Sequence, residues 1–279
     1  MNYVVPTLSI VCMAIVALAG IVIPVVLFLV FRKKYQADIL PFFIGCVVFV
    51  VFALLIEGSI NRLILTSSLG KTIQSNIWLY GIFGGLMAGI FEETGRFTAF
   101  KTVLKKKLGN DRNSLMYGAG HGGFEAFYIL VFSMVSYIYM AVMLNAGMAD
   151  KMTAGVTDTA TLQTLNATFA ALAGTPSAAF LMSIVERIAA VVIQISLSVL
   201  VWFAVKDGGR FWLFPLAILL HALVDAFAVI LASHVSNTWM ILGMVYVLAA
   251  CYVVIAITVW KKYTSDKNII AEIGTDGKV

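Results

Sequence analysis

Apolar runs long enough to cross a bilayer recur along the chain, at about 6–31, 39–58, 77–97, 116–144, 178–205, 211–232 and 237–260. A spanning helix needs roughly 20 such residues. Inside hydrocarbon every backbone N–H and C=O must be satisfied within its own segment, so runs of this kind are helices. The chain has 279 residues, 61% of them hydrophobic and 12% charged, with a mean hydropathy of +0.98, whereas a soluble domain is roughly 45–50% apolar. The expected fold is all-α: a polytopic transmembrane helix bundle of about seven spans, forming one domain over residues 1–262 with a tail at 263–279. A multi-pass protein of the cell (plasma) membrane follows, with the lipid bilayer as its first partner.

The net charge of +5 marks topology and does not indicate a nucleic-acid partner. Arg32, Lys33 and Lys34 follow the first run, Lys101, Lys105, Lys106, Lys107 and Arg112 the third, Lys206 and Arg210 the fifth, and Lys261, Lys262, Lys267 and Lys278 the seventh. The other connections carry only Arg62, Lys71 and Lys151. Fourteen basic residues against three place the first set in the cytoplasm by the positive-inside rule. The N-terminus is then outside and the C-terminal tail cytoplasmic. Cys12, Cys46 and Cys251 lie in apolar runs without metal-type spacing, so they are read as packed or lipid-facing residues. On the outer side, Leu162, Leu165, Phe169 and Leu172 recur at helical spacing and suggest an amphipathic helix at the membrane interface.

Ionisable groups inside these runs are the second constraint, because a charge at the centre of a spanning helix costs on the order of 2.5–3.5 kcal/mol on insertion scales. The third run holds Glu92, Glu93 and Arg96, the fourth His121 and Glu125, the fifth Glu186 and Arg187, and the sixth His221 and Asp225. Residues three or four apart share a helix face, so Glu92 or Glu93 with Arg96, His121 with Glu125, and His221 with Asp225 give three helices a polar face each. Counted from the basic side, Glu92, Glu93, His121 and His221 fall at one level. Gly118, Gly120, Gly122 and Gly123 surround His121 and leave room for a close backbone approach. Gly81, Gly85 and Gly89, four apart, form a ridge for helix packing. Adjacent helical residues diverge by about 100°, so Glu186 and Arg187 are expected to contact other spans and not each other.

Two histidines with two or three glutamates permit amide hydrolysis in two ways. A His₂Glu set is a zinc-ligand chemistry in which bound water is acidified. Alternatively a Glu paired with a His activates water directly while the second His stabilises the oxyanion. The HExxH signature is absent, and neither route is selected by spacing. Asp225 is the one Asp well inside a run, which argues against an aspartyl pair, and no serine stands beside a base in a recognisable motif.

Glu92-Glu93-Thr94-Gly95-Arg96, Tyr117 with His121, and His221 with Asp225 together resemble the YhfC-type intramembrane metalloproteases. Those are related to the CAAX prenyl endopeptidases and the bacteriocin-processing or self-immunity membrane proteins. The resemblance spans the third to the sixth run, with the site helices at about 77–145 and 178–232. It implies that Glu92 or Glu93 activates water, that His121 positions it or binds metal, and that His221 stabilises the oxyanion or binds metal. Arg96, Glu125 and Asp225 are then supporting residues, Glu125 either as a metal ligand with His121 and His221 or as the group that orients a histidine, and the substrate is a peptide or membrane protein. Two other functions use the same residues: a proton- or cation-coupled transporter, since Glu, Asp and His also build proton relays, and a non-catalytic immunity or scaffold relative.

Overall fold

The structure, a computed structural model, describes residues 3–206 and 208–264; most of the expected tail lies outside them. The described residues contain helices and no strand. In chain order the helices are α1 (Thr7–Lys33), α2 (Leu40–Leu65), the short α3 (Ser68–Gln74), α4 (Ile77–Lys101), α5 (Arg112–Asn145), the short α6 (Ala149–Thr153), α7 (Thr159–Gly174), α8 (Met182–Lys206), α9 (Leu213–His234) and α10 (Thr238–Tyr263). Two of them contain π-helical stretches, Phe49–Glu57 in α2 and Tyr128–Phe132 in α5.

Among the described residues, six helices are long and apolar enough to cross a membrane: α1, α2, α5, α9, α10, and α8 with the turn that precedes it. The protein is therefore a polytopic helical membrane protein. The seventh expected span, α4, has a comparable length of 25 residues but falls outside that set, because Glu92, Glu93, Arg96 and Lys101 dilute its apolar character.

The described residues sort into two compact units. One draws on Met1–Val25 and Ala126–Ile188, the other on Val26–Glu125 and Ala189–Val279. In the first, Met13, Val16, Leu130, Ala141, Leu144 and Phe169 form the buried core. The Asn145 side chain clamps the start of the chain, accepting from Val5 N at 2.8 Å and donating to Val5 O at 2.9 Å. The stripe on α7 that suggested an interfacial helix is turned into this core: Phe169 and Leu172 are buried, and Leu165 packs against them. Asp158 caps α7 by accepting from Thr161 Oγ1 at 2.6 Å and from Thr161 N at 2.7 Å, and the hydroxyl bond first, then the backbone bond, hold its exposed carboxyl below the usual carboxylate range.

The second unit depends on close helix crossings. A Cβ on Gly85 would lie 2.2 Å from Ala222 O, and one on Gly89 2.6 Å from Ile218 O, so the backbones of α4 and α9 touch along the glycine ridge. α5 is approached closely on two sides. Gly120 faces Phe42 O of α2, where a Cβ would stand at 2.0 Å, and Gly118 faces Ile195 Cα of α8 at 2.6 Å. The basic ends of these helices are tied together by polar clasps. Buried Asp111 accepts from Trp202 Nε1 at 3.0 Å, Lys206 Nζ at 2.6 Å and Thr264 Oγ1 at 3.0 Å. Asn113 accepts from Asp38 N at 2.8 Å and donates to Asp38 Oδ2 at 3.0 Å. Phe100 stacks edge-on against both Tyr117 and Trp202, at 4.6 and 5.0 Å between ring centres.

Gly85→Ala is expected to destabilise the protein by about 1–3 kcal/mol through overpacking, read as a lower thermal midpoint of the purified protein in detergent. Gly243→Ala, where a Cβ meets nothing within 4 Å, should be neutral or slightly stabilising because it removes a helical glycine.

Candidate functional site

The crossings of the second unit bring four of the ionisable residues to one point. Glu93 lies eight residues before the end of α4, His121 nine after the start of α5 and His221 eight after the start of α9. At 1.5 Å per residue all three sit ~12–14 Å in from those helix ends. Glu93, Arg96 and His121 are fully buried, and Glu92 and His221 nearly so.

Glu93 and Arg96 form the centre of the arrangement. Arg96 Nη1 donates to both Glu93 oxygens at 2.7 Å, and its Nη2 donates to Gln194 Oε1 of α8 at 2.5 Å. Glu93 Oε1 also lies 2.7 Å from His221 Nδ1. A carboxylate on one ring nitrogen fixes the orientation of an imidazole and directs the other nitrogen outward. His221 Nε2 consequently points toward Asp225 Oδ2, at 3.4 Å, and Glu92 Oε2, at 3.9 Å.

Glu92 has a different environment from its neighbour. Its Oε2 is paired with His121 Nε2 at 2.8 Å and accepts from Gln194 Nε2 at 3.1 Å. Its Oε1 takes part in none of these bonds, and 9% of the Glu92 side chain is exposed against none of Glu93. The His121 ring is stacked on Tyr117 and met edge-on by Phe49, with centroids 6.0 and 5.4 Å away. His121 Nδ1 and the Tyr117 hydroxyl are buried without a hydrogen-bond partner, a costly state for polar groups in a native interior.

The supporting residues divide. Glu125 Oε2 accepts from Gln194 Nε2 at 2.9 Å. Asp225 is the outermost of the group, with 42% of its side chain exposed. Glu186 and Arg187 lie in the other unit. The expectation that they do not pair with each other is corrected: Arg187 Nε donates to Glu186 Oε2 at 2.6 Å and its Nη2 to Oε1. Their Cα–Cβ directions diverge, but two long side chains with several torsions each bend back to meet.

Two participants were missed in the sequence. Gln194 bridges Arg96, Glu92 and Glu125, and its signal is a lone amide within the apolar α8. Glu57, at the end of the π-helical stretch of α2, lies within electrostatic reach of Glu92, His221 and Asp225 and accepts from Asn61 Nδ2 at 3.0 Å. It stands at the margin of an apolar run, where a carboxylate attracts no notice.

The side chains do not form a metal centre as arranged: among the described residues no three His, Cys, Asp or Glu are grouped to hold an ion. His121 Nε2 and Glu92 Oε2 are engaged with each other, and Glu125, a proposed third ligand, is drawn toward Gln194. What the arrangement offers is a carboxylate with one oxygen held by an imidazole, beside a second imidazole fixed through its far nitrogen.

The sequence model of a family described as YhfC intramembrane metalloprotease matches residues 19–246. A relative from Bacillus subtilis (strain 168), named uncharacterized membrane protein YhfC, is 34% identical over 252 residues, covering 88% of this chain and 95% of the relative. No solved structure matches the chain. The matched segment runs through every residue of the site just described, and the chain belongs to the YhfC intramembrane metalloprotease family.

Proposed function

We propose that the protein is an intramembrane endopeptidase in which Glu92, held by His121, activates the water that attacks a peptide bond. The observation that carries this reading is the asymmetry of the two glutamates. Glu93 is saturated by Arg96 and His221 and fully buried, while Glu92 keeps Oε1 out of these bonds and 9% of its side chain exposed.

Glu92 Oε1 takes a proton from water as the water oxygen bonds to the carbonyl carbon. His121 keeps the carboxylate in place through Oε2. The carbonyl oxygen becomes an oxyanion, and His221, as an imidazolium with Nδ1–H on Glu93, donates Nε2–H to it. The proton held by Glu92 then passes to the amide nitrogen, the C–N bond breaks, and an amine and a carboxylic acid result. Asp225 is a carboxylate and cannot donate to the oxyanion; it orients His221. The substrate is a peptide or membrane protein that reaches the site with its backbone extended, since a helical amide bond is shielded by its own hydrogen bonding. The family description implies a metal, and among the described residues the His, Cys, Asp and Glu side chains are not grouped to hold one.

Cleavage of quenched fluorogenic transmembrane peptides by purified protein tests the reading. Glu92→Gln should lower the rate by about 10²–10⁴-fold, the range for loss of a general base, with unchanged thermal stability. Glu93→Gln should instead destabilise the fold by about 3–5 kcal/mol by stranding Arg96. Full activity in Glu92→Gln, or in the His121→Ala/His221→Ala double variant, would sink the proposal.

A second measurement addresses the metal. After treatment with EDTA and removal of the chelator, cleavage should persist, and metal analysis should find no stoichiometric zinc that depends on His121 and His221. Activity lost to EDTA and restored by zinc would replace Glu92 as the activator of water.

A further inference from the structure

The π-helical stretch of α2 carries a polar pair that the chemistry above leaves unused. The stretch runs along the site. Phe49 meets the His121 ring edge-on, with centroids 5.4 Å apart, and Phe52 rests on Gly95 of α4, where a Cβ would stand 2.5 Å from its ring. It ends at Glu57. Widened turns of this kind interrupt α-helices mostly at functional sites.

Glu57 lies eight residues before the end of α2, and Asp225 nine before the end of α9. Both therefore stand ~12–14 Å in from the C-terminal ends of two helices that each follow a basic segment. Glu57 shares the level of Asp225 and is within electrostatic reach of it, of Glu92 and of His221.

The hydrogen bonding of the pair is incomplete. Glu57 is half-buried, and its Oε1 accepts from Asn61 Nδ2 at 3.0 Å while Oε2 has no part in that bond. Among the described residues no Lys, Arg or His pairs with Glu57. Asn61 Oδ1, the other arm of the same amide, is buried and has no hydrogen-bond partner. A carboxylate within a spanning helix ordinarily has a compensating partner, and a buried amide oxygen ordinarily has a donor. The carboxylate calls for positive charge, and the orphaned amide oxygen independently calls for an N–H.

We propose that Glu57 and Asn61 form a subsite for a basic side chain, Lys or Arg, of the substrate next to the peptide bond that is cleaved. The ammonium or guanidinium donates N–H groups to Glu57 Oε2 and Asn61 Oδ1. A neutral side chain would leave Glu57 uncompensated, and a bare metal ion would take more oxygen ligands than this pair supplies. The subsite rests on the endopeptidase reading: a peptide whose scissile carbonyl lies between Glu92 and His221 brings a neighbouring side chain to Glu57.

One transmembrane peptide sequence, carrying Lys, Gln or Glu in turn at each position flanking the scissile bond, provides the test. With the wild-type protein, kcat/KM should be about 10–100-fold higher for Lys than for Gln at one of these positions, and lowest for Glu. In Glu57→Gln, which preserves side-chain size and an acceptor for Asn61, the Lys-to-Gln ratio should fall to near one; in Asn61→Leu it should fall by a smaller factor. Glu57→Lys should prefer the Glu peptide, a reversal that a merely structural role does not produce. Fluorescence anisotropy of the same peptides, labelled, on the Glu92→Gln protein reads binding without cleavage and should give the same order. Cleavage without preference for Lys would overturn the subsite and leave the endopeptidase reading standing. Lys-selective binding that depends on Glu57, with no cleavage by the wild-type protein, would do the reverse. Equal binding of the three peptides, or a Lys preference that survives Glu57→Gln, would also overturn the proposal.

Discussion

A guanidinium held between two carboxylate oxygens in the apolar interior of a helical bundle is the interaction on which the site depends. Arg96 and Glu93 are both inaccessible to solvent, and neither can be left there alone, since breaking a buried pair costs about 3–5 kcal/mol. Two partners complete the pair. Gln194 takes the second nitrogen of the guanidinium, and His221 takes the Glu93 oxygen. Through them a salt bridge within one helix determines where α8 and α9 must place their polar side chains.

That network requires helices closer than ordinary side chains allow. The glycines of α4 and α5 provide the space on three sides, toward α9, α2 and α8. The same residues that reduce the apolar character of α5 around His121 let Phe42 O and the α8 backbone approach it, and this is how a glycine-rich stretch persists in a spanning helix where it forgoes helix propensity. Fixed imidazoles beside a partly open carboxylate are the consequence, and preorganisation of this kind is what a hydrolytic site needs.

Much of this was legible before any coordinates. Glu92, Glu93, His121 and His221 stand out because hydrocarbon penalises charge, and their helix positions count to one depth. The glycine ridge on α4 announced its close neighbour. Gln194 and Glu57 were not legible: an uncharged amide carries no such penalty on its face, and a carboxylate at the edge of an apolar run reads as interfacial. The Glu186–Arg187 pair was misread because Cα directions were taken as a guide to where long side chains end. The stripe on α7 was correctly periodic, yet periodicity alone does not distinguish a lipid surface from a protein core.

The sequence by itself determined that the chain is a bundle of membrane-spanning helices and which polar residues those helices must shelter, because both follow from the cost of backbone and charge in hydrocarbon. Only the tertiary structure decided how the sheltered residues differ. Glu92 and Glu93 are adjacent and chemically identical, and their separate environments arise because Arg96 and His221 converge on Glu93, while His121 and Gln194 engage one oxygen of Glu92 and leave its other oxygen out of these bonds. Such a distinction depends on distances between segments up to 128 residues apart in the chain, which no local pattern records.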